Sequence, residues 1–187
     1  HQNMRPNATT GCPGRSHRFY QGPTVYKFGD GESYTTFEHS LSLSTLTDDI
    51  SAAAVQDSID EHAARPHLAP TLALASINVT NTGSVAGDHI VLLFAKPPVH
   101  VTVAANSRGA GPINDDNDGA PVQQLAAFER LAAIEPGETR TVALPLAAPH
   151  FGYASRDGRM VTAAGEWVLQ VGNDDGKRQL QQVLHIA

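Results

Sequence analysis

Cysteine, basic residues and long apolar runs are scarce or absent in this 187-residue sequence, and each of these observations excludes a class of protein or partner. A single cysteine, Cys12, excludes an internal disulfide and a cysteine-rich zinc site. The 13 Lys and Arg are outnumbered by 19 Asp and Glu, for a net charge of −6, which argues against nucleic acid or an anionic membrane as a partner. No apolar run approaches the roughly 18 residues of a transmembrane helix, and the polar start lacks the apolar core of a secretory signal.

What is present indicates a folded domain that belongs to a longer polypeptide. Hydrophobic residues make up 41% of the chain and charged residues 17%, which suits one medium domain, or one domain with an appendage. The start at His1 indicates a piece of something longer. Cys12 is then either a free thiol in a loop or the partner of a cysteine upstream.

Residues 1–36 are rich in Gly, Pro, Arg and Tyr and show almost no hydrophobic periodicity. Glycine and proline disfavour long regular elements, whereas aromatic and arginine side chains gain by packing on a surface. We therefore predict an irregular arm over residues 1–36 that lies against another body.

From residue 37 onward, short alternating segments separated by turn residues predict strands. These segments are residues 37–44, 72–80, 89–95, 140–146, 167–171 and 180–186. Residues 89–95 are apolar enough for a central strand buried on both faces, and Glu135-Pro136-Gly137-Glu138 predicts a tight turn. The pattern indicates an all-β fold over residues 37–187, an antiparallel immunoglobulin-like sandwich of roughly seven strands.

Several segments allow two interpretations or carry only weak signals. Residues 48–65 have Val55, Ile59 and Ala63 at four-residue spacing, which predicts either a short helix or a mobile insertion. Residues 122–134 place Leu125, Phe128 and Leu131 at a spacing that would suit a helix face. Residues 99–103 could add an edge strand, residues 104–121 read as a loop, and residues 173–176 as a hairpin turn.

A search for chemistry-bearing motifs predicts no catalytic residue, no metal and no cofactor. Residues 114–119 match the first half of a calcium loop, but position twelve is Leu125 where a bidentate Glu is needed, so we expect a solvated acidic loop. The nine histidines lack metal-ligand spacing, and neither a Gly-x-Ser-x-Gly elbow nor a phosphate loop occurs. Sequons at Asn7 and Asn78 are the glycosylation candidates, with Asn7 preferred because it lies in the polar arm.

Several strings in the sequence together resemble one known family. Residues 25–37 (VYKFGDGESYTTF) resemble the junction that opens the C-terminal fibronectin type III-like domain of glycoside hydrolase family 3. Further resemblances follow in the family's order at residues 79–88, 125–130 (LAAFER), 136–138 and 165–172 (GEWVLQVG). The upstream PGR of residues 13–15 and RFY of residues 18–20 are similar to the β-xylosidase branch. The family usually has His or Tyr at Asp30 and Leu at Glu32, so this junction is more acidic, and either more exposed or a degraded copy.

This resemblance implies a non-catalytic domain whose parent enzyme hydrolyses terminal β-xylosyl or β-glucosyl residues of xylan and hemicellulose. The family's catalytic Asp and Glu lie in preceding domains, and retaining hydrolysis needs both carboxyls at one bond, so the chain alone should be inactive. The upstream catalytic domains are then its partners, and a xylo-oligosaccharide is reached only through the parent. The expected docking residues are Arg15, Arg18, Tyr20, Tyr26 and Phe28.

Two other functions remain open at this stage, and the resemblance also implies a location. The chain could be a free-standing carbohydrate-binding or adhesion module, although aromatic residues make up only 6% of it, or a truncated gene product without function. The genomic sequence upstream of His1 would distinguish them. The family resemblance implies a secreted, extracellular protein.

Overall fold

The computed structural model describes residues 4–7, 9–20, 22–48, 50–98, 120–155, 158–172 and 180–187. In this part the chain forms two antiparallel sheets packed face to face, and residues 4–36 run as a largely irregular arm. The β-strands are β1 Phe37–Thr45, β2 Thr71–Asn81, β3 Gly87–Lys96, β4 Gln124–Ile134, β5 Thr139–Ala147, β6 Tyr153–Ala154, β7 Met160–Val161, β8 Gly165–Val171 and β9 Gln181–Ile186. The α-helices are α1 Ser16–Phe19 and α2 Ala52–Glu61.

One layer of the sandwich is a three-stranded sheet in the order β1-β2-β5, and the other is a four-stranded sheet in the order β4-β3-β8-β9. These seven strands confirm the predicted fold class. A short two-stranded ribbon of β6 and β7 lies beside them. Successive strand side chains point to opposite faces, so every second residue of β2 and β5 is buried between the layers, with Val142, Leu144 and Leu146 inward as predicted.

The core between the sheets is built around Trp167 of β8, whose side chain is fully buried. Its indole Nε1–H donates to the carbonyl of Ala163 at 2.9 Å, so the polar edge of the ring is satisfied. The Phe151 ring meets it edge to face at a centroid distance of 5.5 Å. The prediction that Trp167 belongs to the core is confirmed, together with Leu169 and Val171 on the same face.

Residues 122–134 contain strand β4, and the helix-like spacing of Leu125 and Phe128 comes from a β-bulge, whereas Leu131, paired with His89, lies on the opposite face. Leu93 pairs with Ala127 but Phe94 pairs with Leu125, so one extra residue lies between these partners on β4. That extra residue puts Leu125 and Phe128 on the same face at a spacing of three. The helix interpretation of this segment is therefore wrong.

Helix α2 settles the interpretation of residues 48–65 in favour of a helix. Ser51 caps it, because its side-chain oxygen accepts a hydrogen bond from the Ala54 N–H at 3.2 Å. Val55 and Ile59 are buried against the core, whereas Ala63 lies beyond the helix end and is exposed. Neither helix of the described residues is long and apolar enough to cross a membrane.

Strand β3 is buried on both faces only over its second half. Val91, Leu93 and Ala95 face the core, and Phe94 on the opposite face is also fully buried, but Ile90 is 55% exposed. The prediction for residues 89–95 therefore fails at the start of the strand. The predicted edge strand 99–103, most of the loop 104–121 with the acidic run 114–119, and the turn 173–176 lie outside the described residues.

Candidate functional site

The arm folds back over the outer face of the four-stranded sheet, and this arm–sheet surface is the candidate site. The backbone N–H of Val122 donates to the carbonyl of Arg18 at 2.7 Å, which ties the arm to the start of β4. Within the arm, the Arg15 N–H donates to the Met4 carbonyl at 2.8 Å. The path of the arm is thus fixed by backbone hydrogen bonds.

Phe94 explains why the arm lies here, since it is an outward-facing side chain that the arm covers completely. The rings of Phe28 and His17 stack at a centroid distance of 4.0 Å and an interplanar angle of 20°. Each ring then meets the Phe94 ring edge-on at 6.2 Å, a favoured aromatic geometry. Burial lowers the pKa of His17, and the neighbouring charge of Arg18 lowers it further, so an uncharged imidazole is favoured in this stack.

Two glycines of the arm permit close contacts, Gly29 with the sheet and Gly14 within the arm itself. Gly29 has φ +83°, and a Cβ there would overlap the side chain of Leu92 on β3. Gly14 has φ +86°, and a Cβ there would overlap the backbone of Phe19. Both backbone conformations are costly for residues with a side chain. This explains why glycine occupies position 14 in the string PGR and position 29 in the string FGDG.

Arg18 lies at the inner edge of the arm with its hydrogen-bonding capacity partly unused. One terminal nitrogen donates to Gln124 Oε1 at 3.1 Å, but its Nε is buried and has no hydrogen-bond partner among the described residues. Arg18 and Arg5 both lie over the ring of Phe19, at 5.8 and 5.6 Å from its centroid. Burial lowers the pKa of Arg18, and the charge of Arg5 adds to this.

The five predicted docking residues have different environments in the structure. Arg18 and Phe28 contact the domain's own sheet, although the Phe28 ring stays 46% exposed. Tyr20 is half-buried and donates its hydroxyl to the Pro23 carbonyl at 3.0 Å. Arg15 is exposed, and Tyr26 is 72% exposed. Whether all five dock on another domain stays a prediction.

An exposed apolar surface continues from the arm across the outer face of the sheet. Its exposed members are Ile90 on β3 and Phe128 on β4, which are diagonal neighbours, and Val183 on β9, further along the same face; we call these three side chains the outer-face patch. Phe128 is 65% exposed and is the cross-strand partner of Leu92, which the arm touches at Gly29. Sequence reasoning missed this patch, because the bulge in β4 hid which face Phe128 occupies.

An open cleft of about 680 Å³ lies between the arm and the sheet. The residues that line it include the aromatic His17, Tyr20, Tyr26 and Phe28 and the basic Lys27 and Lys96. The cleft therefore combines aromatic faces with cationic groups at the junction of arm and sheet.

The two acidic departures from the family pattern lie on the solvent side of the arm. Asp30 and Glu32 are both exposed. One carboxylate oxygen of Asp30 accepts a hydrogen bond from the Lys27 N–H at 2.8 Å, and the Asp30 N–H donates to the Lys27 carbonyl at 3.0 Å. The extra charge therefore avoids a desolvation cost, which supports the more exposed junction.

The carboxyl groups with displaced pKa values do not suit acid catalysis. A hydrogen bond from the Ala133 N–H, followed by one from Arg130, lowers the pKa of Asp88. Arg140, followed by the Glu135 N–H, lowers the pKa of Glu138. A glycosidase general acid needs a raised pKa, which neither group has. Within the part of the chain that the structure describes, no three His, Cys, Asp or Glu residues gather as metal ligands.

The glycosylation candidates also differ in environment. Asn7 is half-buried in a tight turn, where its Oδ1 accepts from the Thr10 N–H at 3.0 Å. Asn78 is exposed on β2, where its side chain bonds to Ser40 and Thr141 of the neighbouring strands. The backbone of Cys12 pairs with that of Asn7 in an isolated antiparallel bridge.

Comparison with known proteins shows which proteins the chain resembles. The model of the fibronectin type III-like domain matches residues 113–175. The structure of a GH3 exo-β-xylosidase, XlnD, superposes on the whole chain with a TM-score of 0.68 and 26% identity, and the match uses 22% of that protein. The chain is similar over nearly its whole length to one part of glycoside hydrolase family 3 enzymes and carries a match to the fibronectin type III-like domain.

The relatives of this fibronectin type III-like domain are much longer proteins. Beta-D-xylosidase 1 of Arabidopsis thaliana is 33% identical over 182 residues, which are 91% of this chain and 21% of that protein. The exo-1,4-β-xylosidase xlnD of Aspergillus oryzae is 30% identical over 92% of this chain and 20% of its own length. The domain thus spans about a fifth of the length of the curated relatives it matches.

Proposed function

We propose that this domain is the non-catalytic structural module of a secreted family 3 hydrolase that removes terminal β-xylosyl or β-glucosyl residues from xylan and hemicellulose. Its partners are the upstream catalytic domains of the same polypeptide. It docks on them through the arm and the outer-face patch, and it contributes to the parent enzyme by stabilising its architecture.

The exposed outer-face patch carries this proposal. Ile90, Phe128 and Val183 expose more than half of their side chains on one sheet face. Ile90 and Phe128 lie side by side on neighbouring strands, and exposed apolar side chains grouped in this way are typical of an interaction site. The patch joins the arm at Leu92, so one partner surface could cover the patch and the exposed ring of Tyr26 together.

A substitution in the patch tests the proposal in the full-length parent enzyme, recovered from the genomic sequence upstream of His1. Phe128→Glu should leave the unfolding of the separately expressed domain nearly unchanged, because the ring is 65% exposed. In the parent it should lower the melting temperature by several degrees, because a charge enters an apolar interface. The measurements are calorimetry of both proteins and aryl xyloside hydrolysis after heating the parent.

Leu68→Glu provides the matched control, since Leu68 is 57% exposed but lies next to α2, away from the outer face. Equal melting temperatures for the Phe128→Glu parent, the Leu68→Glu parent and the unmodified parent would contradict docking through the patch. Retention of xylo-oligosaccharides by the isolated domain, lost on Tyr26→Ala, would instead favour the free-standing binding module, with the cleft beside Tyr26 as its site.

A further inference from the structure

Two histidines from different sheets meet inside the sandwich. His39 of β1 and His89 of β3 have their Nε2 atoms 2.7 Å apart, and their rings lie at a centroid distance of 4.7 Å. The Phe37 ring packs on His89 at 4.5 Å. Both histidines are half-buried. We call this pair the histidine clasp, because its hydrogen bond joins the three-stranded sheet to the four-stranded sheet.

The chemistry of the clasp depends on the number of protons it holds. A hydrogen bond between two imidazole nitrogens needs one donor and one acceptor. The neutral pair meets this condition, and so does the pair with one added proton, in which an imidazolium donates to a neutral ring. With a second added proton both Nε2 atoms are donors, and the contact becomes a repulsion between two like charges.

The described residues around the clasp include apolar cross-strand partners and several charged groups. The cross-strand partners of His39 and His89 are Val79 of β2 and Leu131 of β4, both apolar. The acidic neighbours in sequence, Glu38 and Asp88, point to the opposite faces of their strands and are exposed. On the clasp's own face, Glu129 of β4 is exposed, two residues from Leu131. Arg140 of β5 lies across Val79 and adds positive charge, although it is bonded to Glu138.

The electrostatics agree with this geometry. Burial, followed by the charge of His39, lowers the pKa of His89 from 6.5 to about 4. The second of these causes is the repulsion between two charged rings, which agrees with the geometry of the contact.

The clasp lies beside the point where the arm enters the sandwich. Phe37, which packs on His89, is the cross-strand partner of Asn81. The Asn81 side chain in turn accepts a buried hydrogen bond at 2.7 Å from Thr35, the residue that anchors the end of the arm.

We propose that the histidine clasp is a pH-sensitive connection between the two sheets that holds with one added proton and opens with the second, loosening the anchor of the arm. The loss of stability has a definite sign. Above pH 6.5 His89 is neutral in both the folded and the unfolded chain. Between pH 6.5 and 4 His89 becomes protonated in the unfolded chain but stays neutral in the folded chain. Acidification through this interval therefore favours unfolding.

Urea unfolding between pH 7.5 and 3.5, followed by Trp167 fluorescence, tests the clasp. A shift from 6.5 to 4 would at most lower the folding equilibrium constant roughly 300-fold. We expect this constant to fall only about 10- to 50-fold, because the two histidines are half exposed and their charges are screened by solvent. In His89→Gln the loss on acidification should be smaller by this 10- to 50-fold, since a Gln amide can donate or accept at any of these pH values, whereas the contributions of the other groups with lowered pKa values, such as His17 and Asp88, remain. The control His185→Gln, at an exposed histidine of β9, should lose as much stability on acidification as the unmodified chain.

A second measurement covers the case in which His89→Gln fails to fold. Ring-nitrogen chemical shifts of the unmodified chain should show one histidine that stays neutral below pH 5 and contacts another. The Thr82 amide is bonded to the Thr36 carbonyl at the arm anchor. As the pH is lowered, its protection from hydrogen exchange should fall before that of the core amides. Two histidines that titrate independently near pH 6.5, or parallel pH curves for the unmodified chain and His89→Gln, would overturn the proposal.

Discussion

The side chain of Asn81 is fully buried at the end of β2, and its replacement offers a demanding test of how this domain is held together. Its Oδ1 accepts from the Thr35 hydroxyl at 2.7 Å and from the Gly83 N–H at 3.0 Å. Its Nδ2 donates to the carbonyls of Val85 and Ile134, both at 2.8 Å. One amide thus joins the arm, the β2–β3 turn and the end of β4.

The expected cost of Asn81→Ala follows from these four bonds. The bonds to Thr35 and Ile134 are buried, and the other two are partly buried. An unsatisfied buried group costs about 1–3 kcal/mol and an exposed one much less, so we expect a loss of about 3–5 kcal/mol in the free energy of unfolding. For a chain of this length that corresponds to a drop of roughly 10 °C in Tm.

Urea unfolding read by Trp167, the single tryptophan, measures this loss. Asn78→Ala is the matched control, because Asn78 lies on the same strand but is exposed on the other face. Its bonds to Ser40 and Thr141 are exposed, so its loss should stay below about 1 kcal/mol. Asn81→Ala within 1 kcal/mol of Asn78→Ala would refute the reasoning.

Three further outcomes follow from the packing. Trp167→Phe should cost about 2–3 kcal/mol, because it leaves a cavity and frees the Ala163 carbonyl; a midpoint of thermal unfolding by circular dichroism within 2 °C of the unmodified chain would contradict this. Ile59→Ala should cost about 2–4 kcal/mol, since Ile59 is 4% exposed, and an unchanged urea midpoint would show that α2 is not part of the core. Phe28→Ala should expose Phe94 and increase cleavage of the arm by trypsin at Lys27, whereas Tyr26→Ala should not; equal cleavage rates would mean that the stack with His17 does not hold the arm.

Part of this structure could be predicted from the residue pattern within individual strands. Val142, Leu144 and Leu146 alternate cleanly, and so do Trp167 and Leu169, because each strand has one face on the core and a period of two. These local patterns predicted the layers without knowledge of which strands pair. The same is true of the Glu135–Glu138 turn, where the Glu138 N–H donates to the Glu135 carbonyl at 2.9 Å.

The candidate site was only partly accessible in this way. The composition of residues 1–36 predicted an arm that lies against another body, whereas in the structure Arg18 and Phe28 contact the domain's own sheet; docking on another domain stays a prediction. Which surface they contact depends on Phe94, and nothing in an apolar strand shows which of its two faces an arm will cover.

Tertiary structure alone decided the features that join distant residues. The bulge in β4 depends on its pairing with β3, and it turned a helix-like spacing into a strand that exposes Phe128. His39 and His89 are 50 residues apart and meet only because the two sheets stack. A sequence records the period of each element, whereas register and stacking arise from contacts between elements, so the fold class was determined locally and the arm–sheet surface and the histidine clasp were not.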